Sequence, residues 1–426
     1  MKIHIDLDSF FVSAERTRDA SLYHKPVAIG GRGDSYIFAQ KSGHQSINLD
    51  NRGAFLGAFF QTYDPSQKDI EKFTDSDGRI RGILTTSSYE ARKFGIKTGM
   101  TIREALLLCP QLIIKAPNMA LYKELSHTLH DFLLQRIPLI EQASIDEFYG
   151  DLKGWIEDDE VPCFIDMLRH EIQRDLNLPV SIGAAFSKPI AKLATSSCKP
   201  FGCKTVLPYE HLDFVTNIPI EEFPGIGRAM QKKLQSYQIN TLGKLLKSRG
   251  IVESWSPYSR ALYKQVNGED THEVKPLHVR KSIGISRTFD AIIDRGEIRR
   301  RIIILSRHLS HAIMRLGALP TTYHVGIRYE LSQHSSANIT EYRLFNEFYF
   351  RELSLSLFYK ADIYKNLKII RLSISCSHFT CNSKRELSLI DFDADLSAHK
   401  LSQMIKILRD RYGLDILRFG SEISRK

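Results

Sequence analysis

The chain has 426 residues, 42% hydrophobic and 25% charged, with a formal net charge of +10. Those proportions describe a globular protein too long for one hydrophobic core, and they exclude fibrous, low-complexity or disulfide-stapled chains. No apolar run approaches the ~20 residues of a membrane span, and acids reached at Asp6 and Asp8 leave no room for a signal peptide, so a cytoplasmic protein without membrane contact is expected.

In chain order, Ile3-His4-Ile5 reads as a first strand that closes on Asp6-Leu7-Asp8-Ser9-Phe10-Phe11, where a helix begins. Ser87-Ser88-Tyr89-Glu90-Ala91-Arg92-Lys93-Phe94-Gly95 follows, with Tyr89 and Arg92 three apart at a helix start and so on one side of it. Residues 119–136 and 163–176 are amphipathic, and between them Leu139-Ile140 leads into Ser144-Ile145-Asp146-Glu147. Apolar runs alternating with amphipathic stretches up to about residue 216 predict an α/β domain. Residues 217–270 read as short helices, the first pair broken by Gly225-Ile226-Gly227. Residues 271–281 contain Pro276 and show no period, which predicts an interdomain linker. Beyond it come a strand near 281–289, a long helix near 296–316, alternating runs at 321–331 and 339–348, a helix near 352–363, a strand near 367–376 and a helix near 398–412, together a compact α+β unit. The six cysteines include no Cys-x-x-Cys pair and read as reduced thiols.

Charge is unevenly spread. Residues 1–150 carry a net charge of 0, residues 151–273 of −1 and residues 274–426 of +11. The last third is therefore the expected phosphate-backbone binder, against the bland alternative of a basic solvated surface. In the long helix, Arg299-Arg300-Arg301 and Arg307 read as that solvated face, whereas Lys281, Arg287, Arg328 and Arg343, at strand positions, are better placed to track phosphates across a sheet.

Acids that close apolar runs need an explanation, because Asp and Glu are seldom buried unless paired or bound to metal. Either cluster alone is commonly a turn or a cap, and Asp8 could cap the helix after it. Together they offer hard oxygen donors, which select Mg²⁺ or Mn²⁺ over Zn²⁺, and two such ions suit phosphoryl or nucleotidyl transfer.

With Lys25-Pro26-Val27-Ala28-Ile29-Gly30-Gly31, Ser181-Ile182-Gly183-Ala184-Ala185, Cys198-Lys199-Pro200-Phe201-Gly202 and Phe223-Pro224-Gly225-Ile226-Gly227 in the same order, the chain resembles a Y-family, lesion-bypass DNA polymerase of the polymerase IV or polymerase V catalytic-subunit type. The resemblance implies a multidomain α/β and α+β fold: a ferredoxin-like palm (1–25 and 116–216), fingers (26–115), a helical thumb with a helix-hairpin-helix (217–270), a linker (271–281) and a C-terminal α+β little finger (282–426). It implies Asp6, Asp146 and Glu147 as catalytic metal ligands with the Leu7 carbonyl, holding two Mg²⁺ for which Mn²⁺ can substitute, and leaves Asp8 outside that set. Phe11 resembles the steric gate against ribonucleotides, with Phe10 beside it. Tyr89, Arg92 and Lys199 resemble the triphosphate contacts, and Gly225 and Gly227 resemble the hairpin glycines that approach a DNA backbone. Glu386-Leu387-Ser388-Leu389-Ile390-Asp391-Phe392 looks like a sliding-clamp peptide through Leu387, Leu389 and Phe392, although Glu386 stands where that motif opens with Gln.

The implied partners are primer-template DNA, deoxynucleoside triphosphates and the sliding clamp, in error-prone synthesis for DNA damage tolerance. The family's short fingers hairpin is replaced here by an insertion at about 32–81. The alternatives are a non-catalytic DNA-binding relative of the same fold and a palm-type nucleotidyl cyclase. Retention of Asp6, Asp146 and Glu147 argues against the first, and the basic last third argues against the second.

Overall fold

A computed structural model describes residues 1–31, 36–38, 45–47, 59–61, 68–74, 78–269, 272–277, 279–379 and 390–423. The strands in chain order are β1 (Lys2–Leu7), β2 (Val27–Gly31), β3 (Gln45–Ile47), β4 (Phe59–Gln61), β5 (Ile83–Ser87), β6 (Ile113–Lys115), β7 (Leu139–Gln142), β8 (Glu147–Asp151), β9 (Val180–Ala185), β10 (Cys203–Thr205), β11 (Ser282–Ile292), β12 (Pro320–Tyr329), β13 (His334–Thr340) and β14 (Ile369–Phe379). The helices are α1 (Phe10–Arg18), α2 (Tyr89–Arg92), α3 (Ile102–Leu108), α4 (Met119–Leu134), α5 (Val161–Leu176), α6 (Lys188–Cys198), α7 (His211–Thr216), α8 (Arg228–Ser236), α9 (Leu242–Lys247), α10 (Arg249–Ser254), α11 (Pro257–Val266), α12 (Arg295–Leu316), α13 (Glu347–Ala361) and α14 (Phe392–Tyr412). They fall into two compact units, residues 1–30, 52–55 and 83–278, and residues 31–51, 56–82 and 279–426.

The first unit is built on a five-stranded sheet in the order β10-β9-β1-β8-β7. β1 is central and antiparallel to both neighbours, and every residue of it is buried, with Ile3, Ile5 and Leu7 alternating with the polar Lys2, His4 and Asp6. α4 and α5 turn apolar faces to the core, Leu121, Tyr122, Leu129 and Leu133 on one, Val161, Ile165, Leu168 and Ile172 on the other. β2, β5 and β6 form a separate small sheet. α7 to α11 pack with α6 around a second cluster that includes Ile190, Leu193, Val215, Phe223, Leu242 and Leu262. Residues 272–275, expected to form a loose linker, are held down instead. Lys2 Nζ donates to the His272 carbonyl at 2.7 Å, the Lys275 amide donates to Glu141 Oε2 at 2.6 Å, and Val274 is buried. Side chains distant in sequence fix this stretch, which its own composition cannot reveal.

The second unit carries an antiparallel sheet in the order β11-β14-β12-β13, with one face packed against α12 and α13. The run 339–348, expected as a strand, changes structure midway. β13 ends at Thr340, and Asn346 then caps α13 by accepting from the Tyr349 amide at 2.8 Å. α12 is not half solvated, since residues 302–314 are buried throughout. Arg299 is exposed as expected, but Arg300, Arg301 and Arg307 are held internally. Arg307 reaches Glu422 at 2.9 Å and Asp415 at 2.8 Å, while Arg300 and Arg301 both bond Glu297. α14 inverts the usual pattern, burying Asp395, Ser402 and Arg409.

The insertion, expected to project from the fingers, contributes to this core. Ile37 and Phe38 are buried in it, with Phe38 edge-on to Phe289, under the Arg301 guanidinium, and with its carbonyl bonded by Arg300 at 3.1 Å. Among the described residues no helix is long and apolar enough to cross a membrane.

Candidate active site

The antiparallel register of β1 and β8 sets Asp6 opposite Glu147, and the Leu7 amide donates to the Asp146 carbonyl at 3.0 Å. The two acidic motifs therefore end at one place, with the Leu7 main chain beside them. Asp6 is 8% exposed. Burial drives its carboxyl up from the ordinary range, the Lys199 ammonium opposes that shift, and the charges of Asp146 and Glu147 reinforce it. Burial likewise raises Asp146, against a hydrogen bond from the Ser144 hydroxyl at 2.5 Å. Lys199 pairs with Asp6, and Lys192 bonds both oxygens of Glu147 at 2.7 Å. Ammonium groups thus stand against carboxylates crowded enough to demand positive charge, and those donors fit hard divalent cations.

Two residues that sequence reasoning passed over organise this site. Asp8 is a hub rather than a helix cap. It accepts from the Tyr89 hydroxyl at 3.0 Å, the Ser181 hydroxyl at 2.8 Å and the Phe201 amide at 2.7 Å. One carboxylate therefore ties the end of β1 to the start of α2, to β9 and to the Lys199 loop. Gly202 lets that loop close, because a Cβ there would lie 2.0 Å from the Cys198 carbonyl oxygen. His4 is the second. Strand alternation puts it on the same face as Asp6, a signal available from the spacing alone. It is 1% exposed, and burial lowers its pKa to about 4, which keeps the ring neutral.

Tyr89 and Arg92 do share a side, with the guanidinium 4.5 Å from the ring centroid and its Nε donating to the Ser87 carbonyl at 3.2 Å. Burial, with Asp8 nearby, raises the Tyr89 hydroxyl above its ordinary pKa, so it remains a donor. Phe11 stacks on Tyr122 with centroids 4.4 Å apart and planes 11° from parallel, and Glu15 accepts from the Tyr122 hydroxyl at 2.7 Å. Phe10, expected alongside it at the nucleotide, is 2% exposed and belongs to the core under β1, because the next residue on a helix points about 100° away.

The expected DNA contacts divide. Gly225 adopts φ +102°, a conformation that favours glycine, and its carbonyl accepts from the Tyr258 hydroxyl, while Gly227 caps α8. Lys281 and Arg328 are exposed. Arg328 lies on the open face of the second unit's sheet with Arg371, its register partner, and with Ser373, Ser375, His324 and Gly326. Arg287 does not, since strand alternation places it with Ile283 and Ile285 on the helix-covered face. Arg343 is not in a strand, and it is committed to Asp395 through two bonds of 2.9 and 2.8 Å and to the Tyr349 ring. Of the clamp peptide, Leu387 and Leu389 lie outside the described residues, and Phe392 opens α14.

Comparison with known proteins matches residues 5–196 to the impB/mucB/samB family, residues 280–389 to the C-terminal domain of that family and residues 210–239 to the IMS family HHH motif. DNA polymerase IV of Bacillus anthracis is 25% identical over 100% of this chain and 94% of its own length. DNA polymerase IV of Lactococcus lactis subsp. cremoris (strain SK11) is 30% identical over 74% of this chain and 76% of its own. Among solved structures, a Y-family DNA polymerase chimera of Dbh and Dpo4 superposes with a TM-score of 0.69 at 21% identity, covering 89% of this chain and 99% of that one. The insertion ternary complex of Dbh DNA polymerase gives 0.56 at 20% identity, with the same coverage. The segments that carry the strand-end acids, the short helices around Gly225 and the C-terminal sheet are each matched, and the chain belongs to the impB/mucB/samB family of Y-family DNA polymerases.

Proposed function

We infer that the chain is a template-directed, error-prone translesion DNA polymerase that extends a primer 3′-hydroxyl with deoxynucleotides, in the cytoplasm. The observation that carries the chemistry is the convergence of Asp6, Asp146 and Glu147 at paired strand ends, with Lys199 and Lys192 on two of them. In this reading Asp6, Asp146, Glu147 and the Leu7 carbonyl would hold two Mg²⁺, which supply activation of the 3′-hydroxyl and neutralisation of the triphosphate leaving group. Arg92 and Lys199 bind phosphate oxygens, and Tyr89, whose one hydroxyl hydrogen rests on Asp8, turns it from there to the same group when the triphosphate binds. Phe11, backed by the Tyr122 ring, excludes a 2′-hydroxyl.

The domains proposed on this basis are a palm (1–25 and 116–216), fingers (26–115), a thumb (217–270) and a little finger (282–426). The open face of the β11-β14-β12-β13 sheet, with Arg328 and Arg371 at one end, suits a duplex backbone, as does the turn at Gly225 and Gly227. A sliding clamp is the proposed partner of 386–392.

Primer extension on an undamaged template with Mg²⁺ tests the reading. Wild type should extend and Asp146→Ala should not, with both binding primer-template equally. Extension that survives in Asp146→Ala would remove the assignment of the metal site.

A further inference from the structure

A second kind of cation site is built into the same strand end. His4 is enclosed on β1 between its register partners Gly183 of β9 and Tyr149 of β8. Its Nδ1 lies 2.9 Å from Thr195 Oγ1. That oxygen also lies 3.0 Å from the carbonyl oxygens of His4 and Ala191, which can only accept. The hydroxyl hydrogen is therefore committed to a carbonyl, and toward the ring the hydroxyl oxygen must accept. Nδ1 carries the imidazole hydrogen, and in the neutral ring Nε2 is a bare lone pair.

Nε2 has no hydrogen-bond partner among the described residues. It faces Glu147 Oε2 at 4.0 Å, and one donor atom from each of His4, Asp6 and Glu147 lies within 4.8 Å of the others. A buried lone pair turned toward carboxylate oxygens is costly unless a cation lies between them. Around this cluster are Lys192 on Glu147, Lys199 on Asp6, the Asp146 carboxylate and the Tyr149 ring, 4.7 Å from His4. Both lysines are partly exposed, at 31% and 27%, so each can swing into solvent when a divalent ion takes its place.

We propose that His4 Nε2, Asp6 and Glu147 form a mixed nitrogen and oxygen site for a first-row transition cation of the Mn²⁺ to Zn²⁺ class. This site differs from the carboxylate-only set by exchanging Asp146 for an imidazole. Imidazole favours transition ions over Mg²⁺, so the site selects a different metal from the one proposed for catalysis. Thr195 is its outer partner, fixing ring orientation and tautomer as hydrogen-bonded partners of metal-bound histidines do. Because Asp6 and Glu147 belong to both sites, a transition ion held by His4 competes with the Mg²⁺ arrangement. The inference rests on this geometry and shares only those two carboxylates with the polymerase reading.

Mn²⁺ is the probe, added to the DNA-free full-length protein and examined by pulsed electron paramagnetic resonance. Bound Mn²⁺ should show coupling to a directly bound nitrogen, and that coupling should change when the protein is labelled with ¹⁵N-histidine. His4→Leu should abolish it and weaken Mn²⁺ binding roughly tenfold or more. Oxygen-only ligation in the wild type overturns the proposal, as does absence of bound Mn²⁺, and both results are independent of whether the variant folds. Nitrogen coupling that persists in folded His4→Leu also overturns it. Mg²⁺-dependent primer extension by the same wild-type sample keeps the two readings apart. Extension with oxygen-only Mn²⁺ defeats the His4 site alone, and nitrogen-bound Mn²⁺ without extension leaves that site standing while the polymerase assignment fails.

Discussion

Charge is used in opposite ways in the two units. At the strand ends of the first, Asp6, Asp146 and Glu147 are gathered into one place, and their lysine partners are partly exposed side chains that can withdraw. In the second, many arginines are committed to permanent acidic partners. Arg295 holds Asp362, Arg307 holds Glu422 and Asp415, Arg343 holds Asp395, and Arg409 holds Glu347. A carboxylate cluster that leaves its charge to be met by movable groups is a binding site. An arginine already met by a buried acid is part of the fold, the pair adds nothing to the net charge, and the +11 excess belongs to the cations left over.

The sharpest way to break this contrast is to remove a cation that is part of the fold. Arg409 and Glu347 are each 3% exposed and joined by bonds of 2.6 and 3.0 Å. Replacing Arg409 with Leu strands a buried carboxylate, at an expected cost of about 3–5 kcal/mol. The double variant Arg409→Leu/Glu347→Leu should recover much of that. Hydrogen exchange at α13 and α14 amides measures both without assuming that two units unfold together. A single variant as protected as the wild type would mean that this pair contributes little, and the contrast between the units would weaken.

Phe38 gives the next largest effect. It brings the insertion into the second unit's core, between the Arg301 guanidinium and the Phe289 edge. Phe38→Ala should destabilise that unit by about 3 kcal/mol, at the low end for a buried phenylalanine, read as lost exchange protection along the first turns of α12. Unchanged protection there would show that the insertion does not brace the unit.

The acids at the ends of β1 and β8 were legible because strand alternation and a motif's own spacing carry them, and the helices from 119 to 176 because their apolar periods are local. Other features depend on distant partners. Arg307 reads as a solvated residue until Glu422 and Asp415 arrive from the chain's far end, and the stretch 272–275 reads as loose until Lys2 and Glu141 bond its backbone. Asp8 has the spacing of a helix cap, and only Tyr89, Ser181 and Phe201 reveal its part in gathering three segments. Arg287 is a different case, since counting alternate residues from Ile283 and Ile285 already assigns it to the covered face.

The smallest effect is the most discriminating. Arg328 and Arg371 are exposed register partners on the open face of the sheet, whereas Arg343 is spent on Asp395. If the open face meets a duplex, each of Arg328→Ala and Arg371→Ala should reduce the slope of log affinity against log salt by roughly 0.9, one phosphate contact apiece, with the fold intact. Arg343→Ala should leave that slope unchanged, because its guanidinium neutralises a carboxylate and not a phosphate. Titrating the three variants with primer-template DNA at several salt concentrations measures this directly. Equal slopes for all three would mean that the sheet face carries no phosphate contact, and the duplex-binding role would then pass to the turn at Gly225 and Gly227.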